Sequence, residues 1–177
     1  EANDSLHGIL ELWNENVWLA SKGGGIGSYW GNLRGIGENV GQAGKTSGVV
    51  PFIRVMDSLT VAISQGSLRR GSAACYLPIW HPEIEEFIDL RRPTGGDPNR
   101  KALNLHHGIV ITDDFMRAVE DDKEWSLKSP KDGSIQKTIK ARSLWIKLLT
   151  TRIETGEPYL LFIDKLKPVY NAIRKTK

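Results

Sequence analysis

Cysteine is nearly missing from this 177-residue chain, with Cys75 the only one. A single thiol excludes an internal disulfide framework and suits a reducing, cytoplasmic setting. Long apolar runs are missing too, since no stretch approaches the roughly 18 consecutive residues that a membrane span requires. Charge of one sign is scarce: 24 Lys and Arg stand against 21 Asp and Glu, a net charge of +3. The basic residues are spread out apart from Arg174, Lys175 and Lys177, so nucleic-acid binding gains little support. No signal peptide opens the chain, and its first residue is Glu1 instead of Met, which reads as a processed or excised piece. Histidine is sparse. His7 and His81 have no carboxylate at ligand spacing, and His106 and His107 are neighbours on a predicted strand, which points them to opposite faces. No metal site is expected.

Hydrophobic residues make up 40% of the chain, enough for the core of one ordinary domain or of a piece of a larger one. Residues 4–20 read as a helix with Asp4 or Ser5 as N-cap and Leu6, Ile9, Leu10, Trp13, Val17 and Leu19 at helical spacing. The run Lys22–Gly27 breaks it, and residues 28–48, strewn with Gly and Asn, read as an irregular loop. A second helix runs from Val49 to about Ile63, and Ala73–Leu77 is a buried strand. A short helix spans Pro82–Leu90 with Pro82 in its first turn, and His81 helps to start it. Leu103–Ile111 is a second strand, and Thr112 caps a helix from Asp113 to about Glu120. Trp125–Ser129 is a short extended piece before a turn at Lys131-Asp132-Gly133. A helix over Ala141–Glu154 carries Leu144, Ile146, Leu148, Leu149 and Ile153 on one broad apolar surface, stops at Gly156, and precedes a third strand at Tyr159–Ile163. Strands alternating with helices argue for an α/β architecture with parallel strands, and three strands cannot close a sheet by themselves.

Phosphate-binding patterns fail on close reading. Gly44-Lys45-Thr46 would end a P-loop, but the glycine required five residues earlier is Asn39, and no hydrophobic strand precedes it. Neither Gly23–Gly27 nor Gly35-Ile36-Gly37 completes a dinucleotide fingerprint. Cys75, between Ala74 and Tyr76 in an apolar strand, reads as a buried structural thiol. The residues that do suggest anion capture are Arg34, Arg69 and Arg70, each in a glycine-rich loop that lets backbone and guanidinium approach a ligand together. Asp4 could accept a ribose hydroxyl, or it could be only a cap.

Several short runs follow one another along nearly the whole chain. They are Asp4-Ser5-Leu6, Ser21–Gly27, Thr46–Phe52, Ser64–Gly71, Pro78–Phe87, Asp114–Arg117, Trp125-Ser126-Leu127 with Ser129-Pro130, and Thr155–Tyr159. In this order they resemble the catalytic large subunit of class I ribonucleoside-diphosphate reductases. The resemblance implies part of a ten-stranded α/β barrel, incomplete here, with 1–72 holding effector-site helices and specificity loops and 73–177 holding barrel strands and helices. It implies an oxidoreductase of deoxyribonucleotide biosynthesis, for DNA replication, that replaces the ribose 2′-hydroxyl by thiyl-radical chemistry. It also implies an allosteric site for a dNTP or ATP at a homodimer interface.

Carried over by position, Asp4 and Ser5 would bind the effector ribose, and Lys22 and Arg34 would face its phosphates. Residues 34–47 would be the first specificity loop. The second, 64–71, would lie between effector and substrate, with Ser64, Gln65, Arg69 and Arg70 sensing base and substrate. The family's cysteine motifs fall just before Glu1 and just after Lys177, so the chain is expected to hold no catalytic residue, to bind no cofactor itself, and to be inactive alone. Implied partners are the rest of the large subunit, a radical-generating small subunit that contains metal, and thioredoxin or glutaredoxin as reductant, with no membrane and no nucleic acid. The other reading of the same residues is a self-contained, non-catalytic nucleotide-binding regulatory module.

Overall fold

The computed structural model describes residues 1–41, 44–64 and 72–166. Helix α1 (Leu6–Ser21) starts where Ser5 accepts a hydrogen bond from the Gly8 amide at 3.0 Å, so Ser5, and not Asp4, is the cap. Gly8, Ile9, Leu12, Asn16 and Ala20 recur every three or four residues and form its buried face. Paired bonds from Gly23 N to the Ala20 carbonyl and from Gly24 N to the Leu19 carbonyl close it in a Schellman motif.

The chain then enters strand β1 (Gly25–Tyr29), where the sequence suggested only a break and a loop. Its glycines hide the period-two signal, and just two of its positions, Ile26 and Ser28, are buried. Helix α2 (Val50–Ser64) leads to β2 (Ser72–Pro78), then to α3 (Ile84–Ile88) and β3 (His106–Ile111). Pro82 lies ahead of α3, whose cap is Glu83, so it does not occupy the first turn. Thr112 caps α4 (Asp113–Glu120) through a bond from Phe115 N. β4 (Glu124–Lys128) and β5 (Ile135–Lys140) form an antiparallel hairpin around the expected turn. Strand β5 has no apolar alternation because almost all of it is exposed. Helix α5 (Ala141–Thr155) ends at Gly156, and β6 (Tyr159–Phe162) follows.

Four strands make one parallel sheet in the order β1-β2-β3-β6, one strand more than the sequence suggested, with no closed barrel among the described residues. Its register sets Ser28 beside Cys75, Cys75 beside His107, and Gly108 beside Tyr159. Trp30, Ile53, Met56, Leu77, Phe87, Ile109 and Phe115 fill the core against the sheet and its helices. The apolar residues of α5 do not share one surface: Ala141, Leu144, Leu148 and Thr151 face the core, whereas Ile146, Leu149 and Ile153 are exposed. At 3.6 residues per turn these sets occupy different sides of the helix.

Candidate functional site

Where α1 begins, α2 begins and the intervening loop folds back, they enclose a cleft of about 340 Å³, toward the small end of ligand pockets, which run from roughly 300 to 1,000 Å³. Asp4, Ser5, Ile9, Arg34, Lys45 and Phe52 are among its lining residues. Asp4 is held by Arg34 through Nη2 at 2.7 Å and Nε at 2.9 Å, and it also accepts the Arg34 backbone amide at 3.3 Å. That fork fixes the guanidinium, and the carboxylate raises its already high pKa further. The remaining Arg34 nitrogen, Nη1, donates to the Asn39 carbonyl at 2.6 Å. Residues 37–40 pair irregularly with residues 44–46 instead of leaving a featureless loop: Gly37 N reaches the Thr46 carbonyl, Thr46 N the Glu38 carbonyl and Val40 N the Gly44 carbonyl.

The run that links β2 to α3 holds this loop from beneath. His81 is fully buried, with Nε2 2.8 Å from the Leu33 carbonyl and Nδ1 accepting the Glu83 amide at 3.1 Å. These bonds require a neutral ring protonated on Nε2, and burial lowers its pKa to about 4. The Glu83 carboxyl accepts the amides of Val49 at 2.8 Å and Ile36 at 3.2 Å on the same oxygen, Oε2. Arg100 reaches its other oxygen at 3.3 Å and donates to the Ser47 carbonyl at 3.1 Å. Burial pushes Glu83 up to about 7; the Val49 bond opposes this, and the neighbouring Glu86 adds to it. Gly48 sits at φ +88, and a side chain there would run into the Glu83 carboxylate.

Asp4, Ser5 and Arg34 therefore meet in one cleft, and Ser5, though used as a cap acceptor, keeps its hydroxyl proton to donate. Lys22 does not join them. It caps the other end of α1, about 24 Å away along a 16-residue helix. Ser64 ends α2, its side chain lies outside the described residues, and so do Gln65, Arg69 and Arg70. A second cleft, of about 600 Å³, lies past the carboxyl ends of β2 and β3 against Trp80, Thr112 and Trp125, and none of the expected effector residues lines it. Cys75 is wholly buried, which raises its pKa strongly and keeps it a thiol.

At the opposite, amino-terminal edge of the sheet lies a cluster that sequence reasoning missed. Glu157 binds His106 Nδ1 at 2.5 Å, His107 Nδ1 at 2.9 Å, the His107 amide at 3.1 Å and Arg91 at 2.5 Å. The two imidazoles were expected to be separated by the strand. They converge because the carboxylate approaches β3 end-on from β6, two residues before the Gly108–Tyr159 pair, and gives one oxygen to each ring. The adjacent histidines were the one hint in the sequence. No grouping of His, Cys, Asp and Glu suited to a metal ion occurs among the described residues.

Residues 1–175 match the family described as ribonucleotide reductase, barrel domain. The chain is 47% identical over 161 residues to a putative ribonucleoside-diphosphate reductase large subunit of Frog virus 3 (isolate Goorha), which covers 91% of this chain and 27% of that protein. It is 39% identical over 180 residues to a ribonucleoside-diphosphate reductase large subunit of Invertebrate iridescent virus 6, covering 97% of this chain and 18% of the relative. The large subunit of Arabidopsis thaliana is 32% identical over 186 residues, covering 92% of this chain and 23% of its own length. The chain thus spans between 18% and 27% of the length of these curated relatives. With a parallel α/β sheet beneath a match that runs over residues 1–175, this chain belongs to the ribonucleotide reductase barrel-domain family.

Proposed function

We propose that the chain is a section of the catalytic large subunit of a class I ribonucleoside-diphosphate reductase, and that the cleft beside Asp4 is the specificity site for a dNTP or ATP effector. The observation that carries this reading is the Asp4–Arg34 fork opening on a cleft that also holds Lys45 and the hydroxyls of Ser5, Thr46 and Ser47. A nucleotide needs three kinds of contact, and each has a counterpart here. Asp4 retains lone pairs that accept ribose hydroxyls beyond those given to Arg34. Arg34 and Lys45 supply positive charge for phosphates, and Ile9, Leu33, Val40 and Phe52 offer apolar surface to the base. Leu6, Leu10 and Trp18 leave α1 with an exposed apolar strip that begins at the cleft, at 65%, 50% and 64% exposure. Such a strip supports a homodimer formed through the effector site.

In this reading residues 1–72 carry the effector site, and residues 73–177 supply barrel strands and helices. Ser64 at the end of α2, with Gln65, Arg69 and Arg70 after it, would sense effector base and substrate, whereas Lys22, at the far end of α1, is too distant to share this cleft. The chemistry lies elsewhere in the subunit. Cys75, whose thiol lies 3.5 Å from the His106 carbonyl inside the sheet, is out of reach of a substrate. The reacting cysteines come from the rest of the subunit, the radical from a small subunit that contains metal, and the electrons from thioredoxin or glutaredoxin. The whole enzyme makes deoxyribonucleoside diphosphates for DNA synthesis in the cytoplasm. Equilibrium dialysis of the full-length protein with labelled dTTP tests the site. Asp4→Asn is expected to lower affinity at least about tenfold, the worth of a lost charged hydrogen bond; unchanged affinity contradicts the assignment.

A further inference from the structure

The loop that walls the cleft has two ends, and both are held by the same short run. At the first end His81 binds the Leu33 carbonyl and Glu83 the Ile36 amide; at the second, Glu83 binds the Val49 amide and its partner Arg100 the Ser47 carbonyl. Arg34 stands between the two holds on the first side, and Thr46, Ser47 and Gly48 precede Val49 on the second. Glu83 is 4% exposed and cannot be serving solubility. Its own backbone is fixed by His81 Nδ1, and Arg100 is in turn gripped by Glu86, at 2.8 Å through Nη2. Gly48 leaves room for the carboxyl where any other residue would fill it.

We infer that Glu83 is a positioning residue for the effector cleft, a clamp that joins both ends of residues 33–48 and so sets where Arg34 and Thr46–Gly48 face the ligand. This rests on the effector reading above. Glu83 is not itself a lining residue of the cleft; it acts through the backbone of Ile36 and Val49 and through its packing against Gly48.

The clamp has a proton-linked signature. The groups facing Glu83 are Glu86 from α3, Arg100 from the turn at Pro98–Arg100, and His81, which itself faces Glu38 from the loop. Releasing the loop exposes Glu83 to water and returns it toward 4.5, below the value near 7 it has when clamped. The clamped form therefore holds the proton more tightly, and raising the pH through 7 favours release. Gln mimics the protonated carboxyl, since one amide oxygen can accept both backbone amides.

The test is dTTP binding by the full-length protein at pH 6 and pH 8, for wild type, Glu83→Ala, Glu83→Gln and Asp4→Ala. Glu83→Ala is expected to weaken binding about tenfold, while Glu83→Gln stays within about threefold of wild type at pH 6. Between pH 6 and 8 the wild type should lose affinity relative to Glu83→Gln; the ligand's own phosphate titration is common to both and cancels. If Glu83→Ala binds like wild type while Asp4→Ala does not, the clamp is refuted and the effector site stands. If all variants bind like wild type, the effector reading itself falls. Should Glu83→Ala fail to fold, the pH profile decides: parallel curves for wild type and Glu83→Gln refute the clamp.

Discussion

Glu157 and Glu83 both expose little surface, 6% and 4%, yet they lie on opposite sides of an ordinary carboxyl group. Burial pushes both up. At Glu157 the hydrogen bonds of His107 and His106, the His107 amide and the charge of Arg91 together outweigh it and hold the group near 2. At Glu83 two backbone amides and a more distant Arg100 do not, and Glu86 pushes the same way as burial, leaving it near 7. Low surface exposure alone therefore does not decide ionisation; the strength of the burial penalty, heavier at Glu83, and the number and sign of the partners decide it together. Their places in the fold match. Glu157 staples the amino ends of β3 and β6 as a permanent anion, whereas Glu83 holds a loop with a grip that a proton can adjust.

The largest effect expected from this contrast is that of Glu157→Ala. It leaves Arg91 and two imidazoles without their anion, and should cost about 3–5 kcal/mol at pH 7 by chemical denaturation. A loss below about 1 kcal/mol would mean that the two sites do not differ. Next comes the pH dependence. Glu157 is lower in the folded than in the unfolded state, so its contribution of about 3 kcal/mol is present above pH 4.5 and fades as pH falls toward 2. Glu83 is raised, so its effect has the opposite sense: stability declines as pH rises from 4.5 through 7. Glu157→Gln should flatten only the acid limb of the stability profile, and Glu83→Gln only the limb between 4.5 and 7.

Gly48→Ala should cost about 1–3 kcal/mol, since it combines a left-handed φ with a collision against Glu83. Near-neutral stability for that variant would show that the clamp tolerates displacement. The smallest change belongs to Glu83→Gln at pH 5, under about 1 kcal/mol, because there the native group already carries its proton.

Much of this molecule was legible from its sequence. Ser5, Thr112 and Gly156 marked helix ends through local chemistry that needs no tertiary context, apolar spacing located α1, α2 and α5, and the Thr112 cap located α4. β1 was hidden by Gly25 and Gly27, and β5 by solvent exposure along nearly its whole length. The surface of α5 was misread because Ile146, Leu149 and Ile153 look as apolar as Leu144 and Leu148, and only the packing separates them. Asp4 and Arg34 were singled out separately, and their direct pairing across 30 residues was not foreseen. Glu83 and Glu157 both stood in motifs that had been noticed, but their meaning comes from partners such as Val49 and His106, which are distant in the chain and set by the register of the sheet.

Hydrogen exchange on the full-length protein with and without dTTP tests most directly whether the cleft beside Asp4 receives the nucleotide. Amides of residues 34–41 and 44–49, above all Ile36 and Val49, should gain protection when dTTP is added. Unchanged exchange there, with protection appearing instead around Trp80 and Trp125, would contradict it.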